Sequence, residues 1–152
     1  MQKRHRKYGY NAPACDIDCI QYDRGRPVAV IEWKHWKARL PNLDHPTARV
    51  KQTVASALEV PLFYQRVWPD QHWECFVTPV GALAEQYIEP GGVLITERDW
   101  VELLYAVRSR PYPDDAEPVG LKISEQARAW AKRYKPDAKQ FDDYILTRDQ
   151  HD

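Results

Sequence analysis

The chain has 152 residues, 43% of them hydrophobic, enough for one compact domain and too few for two with separate cores. Its 22 basic and 22 acidic side chains cancel to a net charge of zero, which excludes a uniformly basic nucleic-acid-coating protein and an acidic disordered tail. No apolar run approaches the roughly 18 residues of a membrane span, and the basic N-terminus lacks the hydrophobic stretch of a signal peptide, so neither is expected.

Residues 1–51 carry eleven Lys or Arg against five Asp or Glu, a local charge of +6 balanced by −6 in the remainder. A polyanion should therefore meet the N-terminal third. Cys15, Cys19 and Cys75 are an odd number in a chain too long to need disulfide staples, which favours a reducing, cytoplasmic setting.

Residues 1–14 are polar and basic and end in Asn11-Ala12-Pro13, a turn or extended entry. Asp16–Tyr22 and Val28–His35 are β-branched and aromatic runs on either side of Asp23-Arg24-Gly25-Arg26-Pro27, the pattern of a hairpin with a five-residue loop. Leu40–Pro46 breaks the chain. A helix follows over Thr47–Glu59, capped near Asp44, with Pro46 in its first turn and Val50, Val54, Ala57 and Leu58 as its buried stripe. Pro61 ends it. Leu62–Trp68 and Trp73–Thr78 form a second strand pair around a turn at 69–72, giving the order ββαββ.

Beyond Pro90-Gly91-Gly92, Thr96 and Asp99 make a capping box for a helix carrying Trp100, Leu103, Leu104 and Val107 to about Ser109. Residues 110–118 are a Pro-rich linker. Ser124 then caps a last helix with Ala127, Trp130, Ala131 and Tyr134 on one face, closed by Pro136. The fold class is α/β or α+β: a mixed central sheet with a ββαββ core over residues 1–110, and two C-terminal helices. Residues 111–152 are the linker and helical extension packed on the same domain. The crossover from 28–35 to 62–68 should be right-handed, making those strands parallel.

The first hairpin carries the chemistry. If Tyr22 pairs with Val28, then Ile20 faces Val30, Asp18 faces Glu32 and Asp16 faces Lys34, all on one surface. A slip of one residue would put Cys19 opposite Glu32 instead. Like charges directly opposite on a sheet are destabilising, so Asp18 against Glu32 wants a divalent cation. Mg²⁺ suits a site with one or two carboxylates. Lys34 then stands two residues on, placed to orient or deprotonate an attacking water.

Asp18, thirteen intervening residues, and Glu32-Trp33-Lys34, on a hairpin followed by a helix and another strand, resemble the PD-(D/E)xK nuclease superfamily of restriction enzymes, junction resolvases and recombination exonucleases. The likeness covers about residues 10–80 and extends to small phage and bacterial proteins of this type. It implies a restriction-endonuclease-like fold and Mg²⁺ or Mn²⁺ held by Asp18 and Glu32, with the Trp33 carbonyl completing the site. It also implies that Lys34 assists the water that hydrolyses a DNA phosphodiester. Such enzymes often act as homodimers when they cut both strands. The sequence departs from the pattern in two places. No proline precedes Asp16 or Asp18, which leaves either as the ligand, with spacing in favour of Asp18. No Glu occurs before Glu32, which points to a single metal.

Arg4, Arg6, Lys7, Arg24 and Arg26 are candidate phosphate contacts, with Tyr8 and Tyr10 interleaved in the N-terminal arm. His35 and His45 lie near the site, with structural or exposed roles favoured. Lys51 and Gln52 could point over the sheet, but a solvated, snorkelling lysine is the favoured reading of Lys51. Cys15 and Cys19, about 13 Å apart on a strand, are too distant for one zinc ion.

Three other readings stand beside the nuclease. One is a solvated hairpin face with an Asp16–Lys34 surface ion pair. The second is a catalytically inactive nuclease-fold module that binds DNA or a protein partner. The third is an RNA-directed hydrolase.

Overall fold

The computed structural model describes residues 15–39, 42–67, 74–113 and 129. The elements are β1 (Cys19–Asp23), β2 (Arg26–His35), α1 (Pro46–Ala57), β3 (Leu62–Val67), β4 (Cys75–Val80), α2 (Ala82–Glu85), β5 (Val93–Ile95) and α3 (Glu97–Ala106). They build an α+β fold on one mixed sheet of order β1-β2-β3-β4-β5. β2 and β3 are parallel, joined across α1, and every other neighbouring pair is antiparallel. The N-terminal arm, the 69–72 turn and the last helix expected from Ser124 lie outside the described residues, Ala129 excepted.

The hairpin turn is tighter than the five-residue loop expected. Asp23 pairs with Arg26, so only Arg24 and Gly25 connect the strands. Both have positive φ, 47° and 79°, the backbone of a two-residue turn whose twist matches that of the strands. Tyr22 consequently faces Pro27 rather than Val28, and an irregularity between Gln21 and Tyr22 absorbs the extra residue. Beyond it the expected register holds, with Ile20 opposite Val30.

β2 is central and buried on both faces, with Ala29, Val30 and Ile31 at 0–1% exposure. On one face Val30, Leu62 and Tyr64 pack with Ala55 of α1 and with Val60. On the other, Ala29, Ile31, Phe63, Cys75, Val77 and Ile95 pack against Ala84, Ile88, Trp100 and Leu103, from α2, the turn after it and α3. Helices therefore cover the sheet from both sides.

α1 differs from its expected form at its cap and on its buried face. Its cap is His45, whose ring accepts from the Thr47 amide, and not Asp44. Its buried residues are Ala48, Lys51 and Ala55, whereas Val50 is 47% exposed and Ala57 and Leu58 are also exposed. Two alanines let the helix lie close on the sheet, and an amine among them requires a partner beneath.

α3 starts at the expected capping box, in which Thr96 and Asp99 satisfy each other's amides. β4 is displaced by two residues from its expected range and includes Pro79 and Val80. The short elements α2 and β5 have no counterpart in the sequence reading, since four and three residues are too few to show a period. β5 follows Gly92, where φ is +88° and an added Cβ would stand 2.5 Å from the Val77 carbonyl oxygen. Gly92→Ala is expected to destabilise the domain by more than about 1 kcal/mol, read as a lower urea midpoint with an unchanged slope.

Candidate active site

The site forms where β2 outruns β1. Alternation along β2 turns Val30, Glu32 and Lys34 towards α1, in register with Leu62, Tyr64 and Arg66 of the parallel strand. The amide of Val30 points to the β3 side, where it donates to the Pro61 carbonyl. The amide and carbonyl of Trp33, an odd number of residues along the strand, therefore point to the β1 side. There the ladder has ended, because its last pair is Cys19 with Ile31. The Asp18 carboxylate takes the vacant place, and Trp33 N–H donates to Asp18 Oδ2 at 2.9 Å. One backbone hydrogen bond thus fixes Asp18 beside the strand that carries Glu32.

Glu32 is 2% exposed. Its Oε1 accepts from two ammonium groups, Lys34 Nζ from its own strand and Lys51 Nζ from α1. Its Oε2 is buried without a hydrogen-bond partner among the described residues. Burial alone would raise the Glu32 carboxyl, but the hydrogen bonds and charges of Lys34 and Lys51 outweigh it and hold the group below its ordinary value of 4.5. Asp18 moves the other way. Partial burial and the neighbouring Glu32 carboxylate raise it above 3.8, against the opposing effect of the Trp33 amide and Lys34.

Tyr64 lies beside Glu32 in the sheet, and its phenol is pushed up to about 12 by burial, then by the charges of Glu32, Asp18 and Cys15. It remains a neutral hydroxyl next to two acids.

The structure brings Asp18, Glu32 and Lys34 together, with the Trp33 backbone between them. Asp16 is exposed two residues before Asp18, and Lys34 pairs with Glu32. Lys51 corrects the expectation of a solvated lysine: at 7% exposure it is buried, with its amine on Glu32. Arg24 and Arg26 sit at the hairpin turn, roughly 17 Å of strand away from Asp18. The structure does not bring them to the carboxylate pair. Arg4, Arg6 and Lys7 lie outside the described residues. His35 is exposed and accepts from the Lys37 amide, and His45 caps α1.

Among the described residues no group of three or more His, Cys, Asp or Glu is placed to hold a metal ion. Asp18 and Glu32 are a pair, and an unpartnered buried oxygen on a carboxylate that interacts with a second one fits Mg²⁺, which takes few protein ligands and fills its other positions with water or phosphate. A cleft of about 410 Å³ lined by Ile88, Val93, Leu103 and Glu102 lies on the opposite face of the sheet and shares no residue with this group.

No protein-family model, curated protein or solved structure matches the chain.

The opposite pKa shifts predict opposite effects on the metal-free protein. Ionised Asp18 opposes folding, so Asp18→Asn, which keeps an acceptor for Trp33 N–H, should be at least as stable as the parent at neutral pH. Glu32→Gln leaves two amines, one of them buried, without their anion and should lose about 3 kcal/mol. That loss should shrink from about pH 5 downwards as Glu32 in the parent takes up its proton. Urea unfolding of the three proteins across this range checks both signs.

Proposed function

We propose that the chain is a Mg²⁺-dependent deoxyribonuclease of the PD-(D/E)xK type, with Mn²⁺ able to substitute. The observation that carries this reading is the division of labour within Glu32: one oxygen binds two ammonium groups, while the other is buried without a partner among the described residues, in a carboxylate close enough to Asp18 to raise its pKa. Asp18, Glu32 and the Trp33 carbonyl, directed to the same edge, would hold the ion. Bound there, Mg²⁺ supplies charge neutralisation at the phosphate and a more acidic water.

The chain's own groups do the positioning. Trp33 N–H orients Asp18, and buried Lys51 fixes Glu32 from the helix side. Lys34, partly exposed on the same carboxylate, is the amine within reach of solvent, suited to orient the water that adds across the P–O bond. Tyr64 stays protonated throughout the working range and presents no third negative charge.

One observation favours a second reading, an inactive module of the same fold that binds DNA or a protein partner. Two lysines and two carboxylates already balance in charge without any ion. Calorimetry separates the two. The nuclease predicts heat on adding Mg²⁺ or Mn²⁺ to the parent and none with Asp18→Asn. It also predicts Mg²⁺-dependent cleavage of plasmid, linear or four-way-junction DNA that falls at least about a hundredfold in Lys34→Met and vanishes in Asp18→Asn. A parent that binds no metal and cuts none of these DNAs leaves the binding module, and cleavage of RNA in preference to DNA would reassign the substrate.

A further inference from the structure

The end of β2 and the segment behind it carry aromatic and basic side chains that the carboxylate pair does not use. Trp33 is 51% exposed although it follows a residue that is nearly sealed from solvent. The cause is the late start of β1, which leaves nothing in that strand opposite Trp33. The core on this face includes Ile31 and Phe63 but not Trp33. A large indole therefore stands at an open edge, and its own amide holds Asp18.

His35 and Trp36 follow, stacked with centroids 5.6 Å apart and planes 29° apart. Lys37 Nζ lies 4.9 Å from the centre of the Trp36 ring. This segment is fastened from within. The fully buried Arg66 donates Nε to the Ala38 carbonyl and Nη2 to the Arg39 carbonyl, each at 3.3 Å. The Ala38 amide donates to the His35 carbonyl at 2.8 Å. A buried guanidinium tied to two loop carbonyls gives the rings a fixed base. Lys37 and Arg39 add positive charge behind them, and Lys34 on the same eight residues is paired with their one acid, Glu32.

We infer that the exposed Trp33 ring is a stacking platform for an unpaired base, and that single-stranded DNA is the ligand of this edge. The choice of DNA rests on the nuclease reading, and the choice of single strand rests on the geometry. In a duplex both faces of each internal base are covered by neighbours, so an exposed indole has nothing to stack on. A free end, a flap or an unpaired branch offers bare faces. Glu32 and Trp33 point to opposite faces of β2, so a phosphate held at the open edge by Asp18 and Glu32 would present the base of a neighbouring nucleotide, led around that edge, to the indole. Lys37 and Arg39 meet the flanking phosphates.

The test is fluorescence anisotropy of oligo-dT, oligo-rU and a blunt duplex, each with the protein in EDTA at one fixed salt concentration. The parent should bind oligo-dT more tightly than duplex and show quenched tryptophan emission. Trp33→Ala keeps the backbone amide and carbonyl of the site. It should weaken oligo-dT binding by about 5- to 150-fold, the range for losing one stacked base, and leave duplex binding and the unfolding midpoint unchanged. Trp33→Phe, which keeps a ring, should recover most of the loss and serves if the alanine variant folds poorly. Duplex bound as tightly as oligo-dT, or oligo-dT binding indifferent to both variants, overturns the platform. Tighter binding of oligo-rU overturns the assignment to DNA. If oligo-dT binding depends on Trp33 but no DNA is hydrolysed with Mg²⁺, the platform stands and the nuclease fails; Mg²⁺-dependent cleavage by a protein whose binding ignores Trp33 does the reverse.

Discussion

A carboxylate sealed from solvent needs compensating charge, and Glu32 obtains it from two directions at once. Lys34 comes from the same strand and Lys51 from the crossover helix. At contact distance and an effective dielectric near 20, the buried Lys51 pair attracts by roughly 4 kcal/mol, and the half-exposed Lys34 pair, screened by solvent, by less. Desolvation costs several kcal/mol per ion, so neither pair alone secures the arrangement. Together they do more than neutralise one acid. They occupy a single oxygen and leave the other buried without a partner, so the fold maintains an incompletely satisfied carboxylate in its interior next to the more exposed Asp18. Helix position and strand placement both bear on that point, because moving either one strands a buried charge.

The parts of this arrangement that could be read from sequence are those set by alternation over long runs. Val28–Ile31 reads as a central strand because it is apolar on both faces, and Ala29, Val30 and Ile31 are indeed buried on both sides of β2. The Thr96/Asp99 box announces α3 because capping is local chemistry. The hairpin loop was misread because Pro27 looks like part of a turn, whereas Arg24-Gly25 alone closes it and the strand irregularity takes up the difference. β5 escaped notice because its three residues draw their stability from pairing with β4, a contact far away along the chain.

Within the site, Asp18, Glu32 and Lys34 were visible as a spacing on two strands. Lys51 and Tyr64 were not. A helical stripe of Val50, Val54 and Leu58 is the more hydrophobic choice, and hydrophobicity is the usual guide to the buried face. It fails here because α1 is positioned by a charge beneath it as well as by apolar area. Ala48 and Ala55 bring the helix close enough for the lysine between them to reach Glu32. Tyr64 reads as an ordinary core aromatic, and only the parallel register that sets it next to Glu32 gives it a role.

The same short β1 that frees Asp18 to bond Trp33 N–H also uncovers the Trp33 ring. Extending β1 by two paired residues would satisfy that amide through the ladder, withdraw the carboxylate from it and give the exposed indole a cross-strand neighbour. Charge placement and ring exposure are therefore consequences of one structural choice, the point at which the first strand begins. The buried Arg66 serves both sides of the choice: it lies opposite Lys34 in the parallel register and holds the loop that carries Trp36. A polar cluster on one face of the sheet and an aromatic edge beside it are in this way tied to the same two strands, which is what a site must have if a phosphate and its base are to be gripped together.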